Sequence, residues 1–223
     1  MSKCTSSSFS MKEATLLKIL FSWILFLTCN GLNSQTLWGV GRNVNSQLGI
    51  GGTTDQTSFS QVRPSENWWK ISLGQHEVAG ISTDSVLYSW GRNYAGQLGI
   101  NTLTNTDTPT IVSIGSKWID VTMGLSDHSQ GIKSDGTLWG WGNGQFGKTG
   151  LNTTSSYSTP QKVNNDTDWQ TVVSGHSYTL ALKSDGTLYS WGRRYRGVLA
   201  RGYTTSGSAY YSTPAQVSQT GIT

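Results

Sequence analysis

Leu180-Ala181-Leu182-Lys183-Ser184-Asp185-Gly186-Thr187-Leu188-Tyr189-Ser190-Trp191 alternates apolar and polar residues on both sides of an Asp-Gly pair. Alternation with period two marks a half-buried strand, and Asp-Gly between two such runs marks a hairpin. A two-residue turn there needs positive φ at both central residues, which Gly and Asp tolerate best. Asp135-Gly136 repeats the arrangement, and Asp84-Ser85 keeps a weaker version.

The recurrence extends over the chain from Thr36 onward. Gly41, Gly91, Gly142 and Gly192 are spaced 50, 51 and 50 residues apart, and the last three follow Trp90, Trp141 and Trp191. Trp68, Trp118 and Trp169 fall in the same register. So do Gly96, Gly147 and Gly197, the valines Val62, Val112, Val163 and Val217, and the Thr-Pro pairs ending in Pro109, Pro160 and Pro214. A period of about 50 residues with strand hairpins predicts a repeat-built all-β protein whose units are propeller blades; a solenoid is the competing architecture. Gly80, Gly131 and Ala181 are small where Tyr88, Trp139 and Tyr189 are large, which predicts radial packing with small residues where backbones crowd toward an axis.

Composition agrees. Only 35% of the residues are apolar and 13% charged, but there are 10 Trp, 9 Tyr and 27 Gly, so aromatic faces and tight turns must build the core. The net charge of +4 is halved outside the first 34 residues, where Lys3, Lys12 and Lys18 stand against Glu13. That is too mild for a nucleic-acid partner. Both cysteines, Cys4 and Cys29, lie in the same leader, which leaves the remainder without a disulfide or a Cys-ligated metal.

Trp90 to Gly99 (Trp-Gly-Arg-Asn-Tyr-Ala-Gly-Gln-Leu-Gly) and Leu182 to Leu188 (Leu-Lys-Ser-Asp-Gly-Thr-Leu) resemble the regulator-of-chromosome-condensation repeat family, and the resemblance covers Thr36 to Val217. It implies a propeller, seven-bladed in the founding member, and leaves function open among nucleotide exchange on a small GTPase, light sensing and enzyme inhibition. The third unit departs from the motif with Gly147-Lys148-Thr149-Gly150 and the fourth with Gly197-Val198-Leu199-Ala200.

The N-terminus reads as a secretory leader, residues 1–34, followed by a repeat domain over 35–223 with units at about 36–62, 68–112, 118–163 and 169–217. Lys12 and Lys18 precede the apolar run Ile19 to Leu27, about half the length that spans a bilayer as a helix. A signal-peptide helix is expected, cleaved between Thr28 and Gln35, with Met11 an alternative start. An uncleaved anchor and a lipid on Cys29 are the alternatives. The protein is therefore expected outside the cytoplasm, secreted or at the cell surface.

About 3.5 blades are expected, in a partial or open ring. Each aligned Val is followed six residues later by a Trp, except that Val217 leads to Thr223. An open aromatic blade face forgoes roughly 4 to 6 kcal/mol of burial, so self-association through it, or further sequence, is expected.

No catalytic, cofactor or metal residues emerge. His76, His128 and His176 follow Gly74, Gly124 and Gly175 at nearly one repeat position, one per blade, which separates them too widely to share a metal. Asp84, Asp135 and Asp185 are turn formers. The one non-repeated feature with chemical character is Arg193-Arg194-Tyr195-Arg196, followed by Arg201, Tyr203, Tyr210 and Tyr211, in a unit three residues longer than its neighbours between Pro160 and Pro214. Arg and Tyr combine contact area with polar reach, so these are the candidate partner-binding residues. The function expected is a non-enzymatic binding or scaffold module for a protein or glycan; exchange-factor activity on a small GTPase is the alternative that the resemblance implies.

Overall fold

The computed structural model describes residues 14–18, 24–31, 34–201 and 209–217, with side chains from residue 36. It is built of four four-stranded antiparallel sheets, each a meander in chain order. The first holds β1 (Ala14–Lys18), β2 (Ile24–Gly31), β3 (Ser34–Gly41) and β4 (Gln56–Val62). The second holds β5 (Trp68–Leu73), β6 (Glu77–Ser82), β7 (Leu87–Gly91) and β8 (Thr106–Ile111). The third holds β9 (Trp118–Gly124), β10 (His128–Lys133), β11 (Leu138–Gly142) and β12 (Tyr157–Lys162), and the fourth β13 (Trp169–Ser174), β14 (Tyr178–Lys183), β15 (Leu188–Arg193) and β16 (Tyr210–Gln216). The first strands β5, β9 and β13 pack on one another, as the inner strands of propeller blades do. Pro109, Pro160 and Pro214 fall on the fourth, outer strands, where a missing N–H costs no ladder bond.

The core lies between blades. One cluster joins Leu37, Leu48 and Val62 to Trp68, Val78, Tyr88 and Trp90; a second joins Ile81, Leu87, Leu98 and Val112 to Trp118, Val121, Met123 and Trp141. A third joins Ile132 and Leu138 to Trp169, Val172, Ala181 and Trp191. Each blade therefore seats the tryptophans of the next.

The long loop after each third strand completes the seat. Trp90, Trp141 and Trp191 donate their indole N–H to the carbonyls of Gln47, Gln97 and Lys148 in the preceding blade, at 3.0, 2.9 and 3.0 Å. The indoles lie over Gly49, Gly99 and Gly150, where a Cβ would come within 2.5, 2.7 and 2.8 Å of the same nitrogens. These glycines also adopt left-handed backbone, so both space and φ require them.

Three expectations change. The small residues Gly80 and Gly131 do not answer crowding at an axis: a Cβ at either would strike the blade's own Trp68 or Trp118, 2.5 and 2.7 Å away, so they make room for the tryptophan of the adjacent strand. The Asp-Gly turns have positive φ at Gly136 and Gly186 alone. Gly136 N–H bonds the Lys133 carbonyl and Lys133 N–H the Thr137 carbonyl, which makes a three-residue loop, a type I turn closed by a left-handed glycine. Asp135 holds that loop by accepting from the Thr137 amide and hydroxyl at 3.0 and 2.6 Å, and Asp185 does the same for Thr187.

The third change is at the N-terminus. A signal-peptide helix and a half blade were expected; instead Ala14–Lys18 and Ile24–Gly31 are strands that complete the first sheet, giving four sheets rather than about 3.5 blades. The physical reason is that β3 has a full row of backbone groups to satisfy and β2 pairs with it from Ile24↔Gly41 to Gly31↔Ser34. The residues there are not those of the repeat. Leu27 stands opposite Trp38, where the other blades place Gly80, Gly131 and Ala181 opposite Tyr88, Trp139 and Tyr189. Among the described residues no helix is long and apolar enough to cross a membrane.

Candidate interaction face

Two sets of loops gather at one end of the blades: the turns joining first to second strands (Gly74 to His76, Leu125 to Asp127, Gly175 to Ser177) and the long loops after Gly41, Gly91, Gly142 and Gly192. The long loop is shaped by its Asn. Asn93 accepts from the Leu98 amide at 3.0 Å and donates to the carbonyls of Thr102 and Thr104, while Gln97 accepts from the Ala95 amide. Asn43 repeats the bond to Leu48 in the first blade. Ser89 and Ser190 tie the loop to its blade by donating to the carbonyls of Leu98 and Leu199.

Between the second and third blades the loops form a charged lock. Asp127, nearly fully buried, accepts from Arg92 Nη2 at 2.8 Å, from Gln97 Nε2 at 3.0 Å and, by a short bond, from the Tyr94 hydroxyl. Burial pushes the Tyr94 hydroxyl up to about 12, helped by its bond to Asp127. Glu77 is buried beside this lock; burial first and the Asp127 carboxylate second push its carboxyl up to about 8. Burial of Lys148 lowers its ammonium to about 8, partly offset by Asp127.

The three histidines take separate columns of the repeat. Glu77, His128 and Tyr178 pair with Gly91, Gly142 and Gly192, which places His76 with Asp127 and Ser177, and His176 one residue further out. His128 is wholly buried over Gly124, and burial, with the Lys148 charge adding, drives its imidazole down to about 3. His176 lies 3.0 Å from the Ser126 hydroxyl and 2.9 Å from that of Ser177. This clasp between neighbouring turns has no carboxylate orienting the imidazole in its described hydrogen bonds, and so lacks the third member of a nucleophilic triad. Among the described residues no three His, Cys, Asp or Glu gather as a metal site.

The candidate partner-binding residues divide. Arg193 lies with its guanidinium 4.7 Å from the ring of Phe146 and 5.3 Å from that of Tyr195, and the guanidinium of Arg196 lies 4.9 Å from the same Tyr195 ring. This is a cation–aromatic cluster at the loop end, with Tyr195 and Arg196 exposed. Arg194 is tied back, its amide donating to the Ala209 carbonyl and its Nη1 to the Tyr211 hydroxyl. Arg201 faces its own sheet: it donates to the carbonyls of Ser190 and Ala215 and stacks 4.4 Å over Tyr211. Arg201 and Tyr211 therefore brace β15 against β16 rather than join the cluster. Tyr210 is exposed on β16, and Tyr203 lies outside the described residues. Sequence reading missed Phe146, Asp127 and Glu77; aligning the columns by their strand partners, rather than by the nearest glycine, finds Asp127 and Glu77, while Phe146, level with Ala95 and Arg196, carries no repeat signal.

Four-stranded meanders with packed inner strands and loops gathered at one end define a β-propeller of the repeat-built class. Residues 84–129 and 135–182 each match the regulator of chromosome condensation (RCC1) repeat, so the chain carries repeats of that type in an RCC1-like β-propeller. Human E3 ubiquitin-protein ligase HERC2 is 31% identical to it over 155 residues, which is 65% of this chain and 3% of that protein. The crystal structure of human WBSCR16 superposes with a TM-score of 0.75 at 20% identity, over 90% of this chain and 51% of that one. That of Prp20p from Saccharomyces cerevisiae, reported with its binding to Gsp1p and histones, gives 0.74 at 17%, over 96% and 52%. At such identities the two structures speak for the fold alone. The chain spans about half the length of these structures and a small part of HERC2.

Proposed function

We propose that this protein is a non-enzymatic binding module that works outside the cytoplasm and presents the loop end of its blades to a protein or glycan partner. The observation that carries the reading is the cluster of Phe146, Arg193, Tyr195 and Arg196. It places aromatic faces and guanidinium groups side by side on the loops, the residue types that dominate binding hot spots. No group with the geometry of a nucleophile, base and orienting acid accompanies it among the described residues.

Export is supported by the composition of residues 1–34 and by the absence of repeat residues from β1 and β2. A leader removed on secretion has no need to match the blades it precedes. The test is photo-crosslinking from position 196, compared with position 84 at the opposite end of the blades, on protein recovered from the medium or cell surface. The expected result is one specific adduct from position 196, none from position 84, and loss of the complex in Arg196→Ala. Stimulated release of guanine nucleotide from a small GTPase, without any adduct at the loop end, would overturn the reading.

A further inference from the structure

The lock between the second and third blades has a counterpart with an empty side. Arg92 and Tyr94 of the second blade together hold the carboxylate of Asp127, which sits on the turn between the first two strands of the blade that follows. The same pair recurs once, as Arg193 and Tyr195 in the fourth blade. The other loops carry Arg42 with Val44 and Asn143 with Gln145, and the blades that follow them place His76 and Ser177 in the Asp127 column. Within this chain, then, the Arg and Tyr pair goes with an acid on the next blade. Arg193 Nε is buried without a hydrogen-bond partner among the described residues.

The sheet below that pair is open as well. Leu188 is 38% exposed, whereas Leu87 and Leu138 in its column are fully buried under Trp118 and Trp169 of the next blade. Val173 is exposed where Ser72 and Thr122 accept the amides of Met123 and Ser174 from the next blade. One feature changes the fit. Ala200 occupies the column of Gly49, Gly99 and Gly150 and keeps their left-handed φ, at 49°. Its methyl group fills the place over which Trp90, Trp141 and Trp191 lie.

We propose that the open edge of the fourth blade, β13 to β16, receives a further repeat blade that carries Asp or Glu on the turn between its first two strands. In place of the indole that Gly49, Gly99 and Gly150 accommodate, that blade has a smaller side chain. A second copy of this chain is not the occupant: ahead of its β3 it would bring residues 14–31, which contain no acidic residue, or, with residues 1–34 removed, no turn between first and second strands at all. The carboxylate docks on Arg193 and Tyr195, and Leu188 and Val173 supply the apolar floor. This assignment is independent of a partner at the loop end: Arg196→Ala tests that partner and leaves blade docking unchanged.

The experiment is to fuse a copy of residues 118–168 after Ile222 of the full chain, so that the copied Trp118 falls at the six-residue spacing after Val217. Docking is read as hydrogen-exchange protection of the amides of Leu188 to Arg193. The expected result is that the copy docks when its Trp141 is changed to Leu and does not dock with Trp141 intact, and that Ala200→Gly restores docking of the intact copy. Asp127→Asn in the docked copy and Arg193→Ala in the chain should each lower protection about tenfold, and the two together no further than either alone. Equal protection for the Trp141 and Leu copies, protection indifferent to Asp127→Asn, or no docking in any combination overturns the proposal.

Discussion

The column Gly49, Gly99, Gly150 and Ala200 shows how much one methyl group decides. At Gly99 a Cβ meets the Trp141 indole at 2.7 Å and the backbone is left-handed, so Gly99→Ala combines overpacking with αL strain. It is expected to cost about 2 to 4 kcal/mol, read as a lower urea midpoint with unchanged slope. Ala200→Gly works the other way: with no indole over it, relief of the left-handed strain outweighs added unfolded-state entropy, and stability should rise by about 0.5 to 1 kcal/mol. Buried titrating groups give a second residue-scale expectation. Glu77 ordinarily titrates at 4.5 and in the fold at about 8, so the folded chain holds a proton that the unfolded one loses, and stability falls as pH rises between those values. His128 ordinarily titrates at 6.5 and in the fold at about 3, so stability also falls as pH drops below 6.5. The two slopes cancel between about 4.5 and 6.5, and urea midpoints should plateau there and decline on both sides. Glu77→Gln should abolish the decline toward pH 8 and make the midpoint fall directly below 6.5; an unchanged profile would show that Glu77 is not the proton carrier.

Between elements, the inner strands are joined by one buried carboxylate. Lys70, Asp120 and Thr171 occupy the same column of β5, β9 and β13. Asp120 accepts a short bond from Lys70 Nζ, and bonds of 2.7 Å from the Thr171 hydroxyl and 3.1 Å from the Val172 amide. Removing the carboxylate leaves three donors of two other blades without it, so Asp120→Ala should cost about 3 to 5 kcal/mol. Lys70→Ala removes only a partly solvated partner and should cost about 1 kcal/mol or less. Paired urea titrations of the two variants check the ratio. The blades themselves were legible in the sequence because their Trp, Gly and Val columns answer local needs that recur in every unit: a tight turn, a seat for an indole, an alternating strand. The stitching between blades was not legible. The acceptors for Trp90, Trp141 and Trp191 are backbone carbonyls, for which Gln47, Gln97 and Lys148 serve alike, and Lys70, Asp120 and Thr171 share a column without sharing a side-chain type. The cluster at Arg193 was visible as composition, but the separation of Arg196 at the loop end from Arg201 inside the sheet depends on where the chain turns after Ala200. Residues 14–31 were only half legible for a physical reason too: an apolar run suits a leader and a strand equally, and the strands appear only through the register with β3.

At the scale of the molecule, the sheets touch in succession, first to second, second to third and third to fourth, so the described residues form an arc whose fourth blade presents Val173 and Leu188 to solvent. Apolar groups that the repeat elsewhere buries drive association when exposed, at about 25 cal/mol for each Å2 covered. The chain on its own should therefore associate weakly in light scattering, through these apolar groups alone and without the carboxylate that a docked blade supplies, with the mass rising with concentration, and Leu188→Lys should shift it toward monomer by putting a charge where Leu87 and Leu138 are dry. The N-terminus adjusts the other end of the same arc. If residues 1–34 are removed on export, β3 loses the partner that it now has in β2, and its backbone row becomes an edge that pairs with other strands. Intact mass should then show exported protein that begins between residues 29 and 35, and its amides from Thr36 to Gly41 should exchange faster than those of Leu87 to Gly91, which keep β6 beside them. Exported protein that begins at Met1 or Met11, with the two stretches equally protected, would instead make β1 and β2 permanent strands of the first blade.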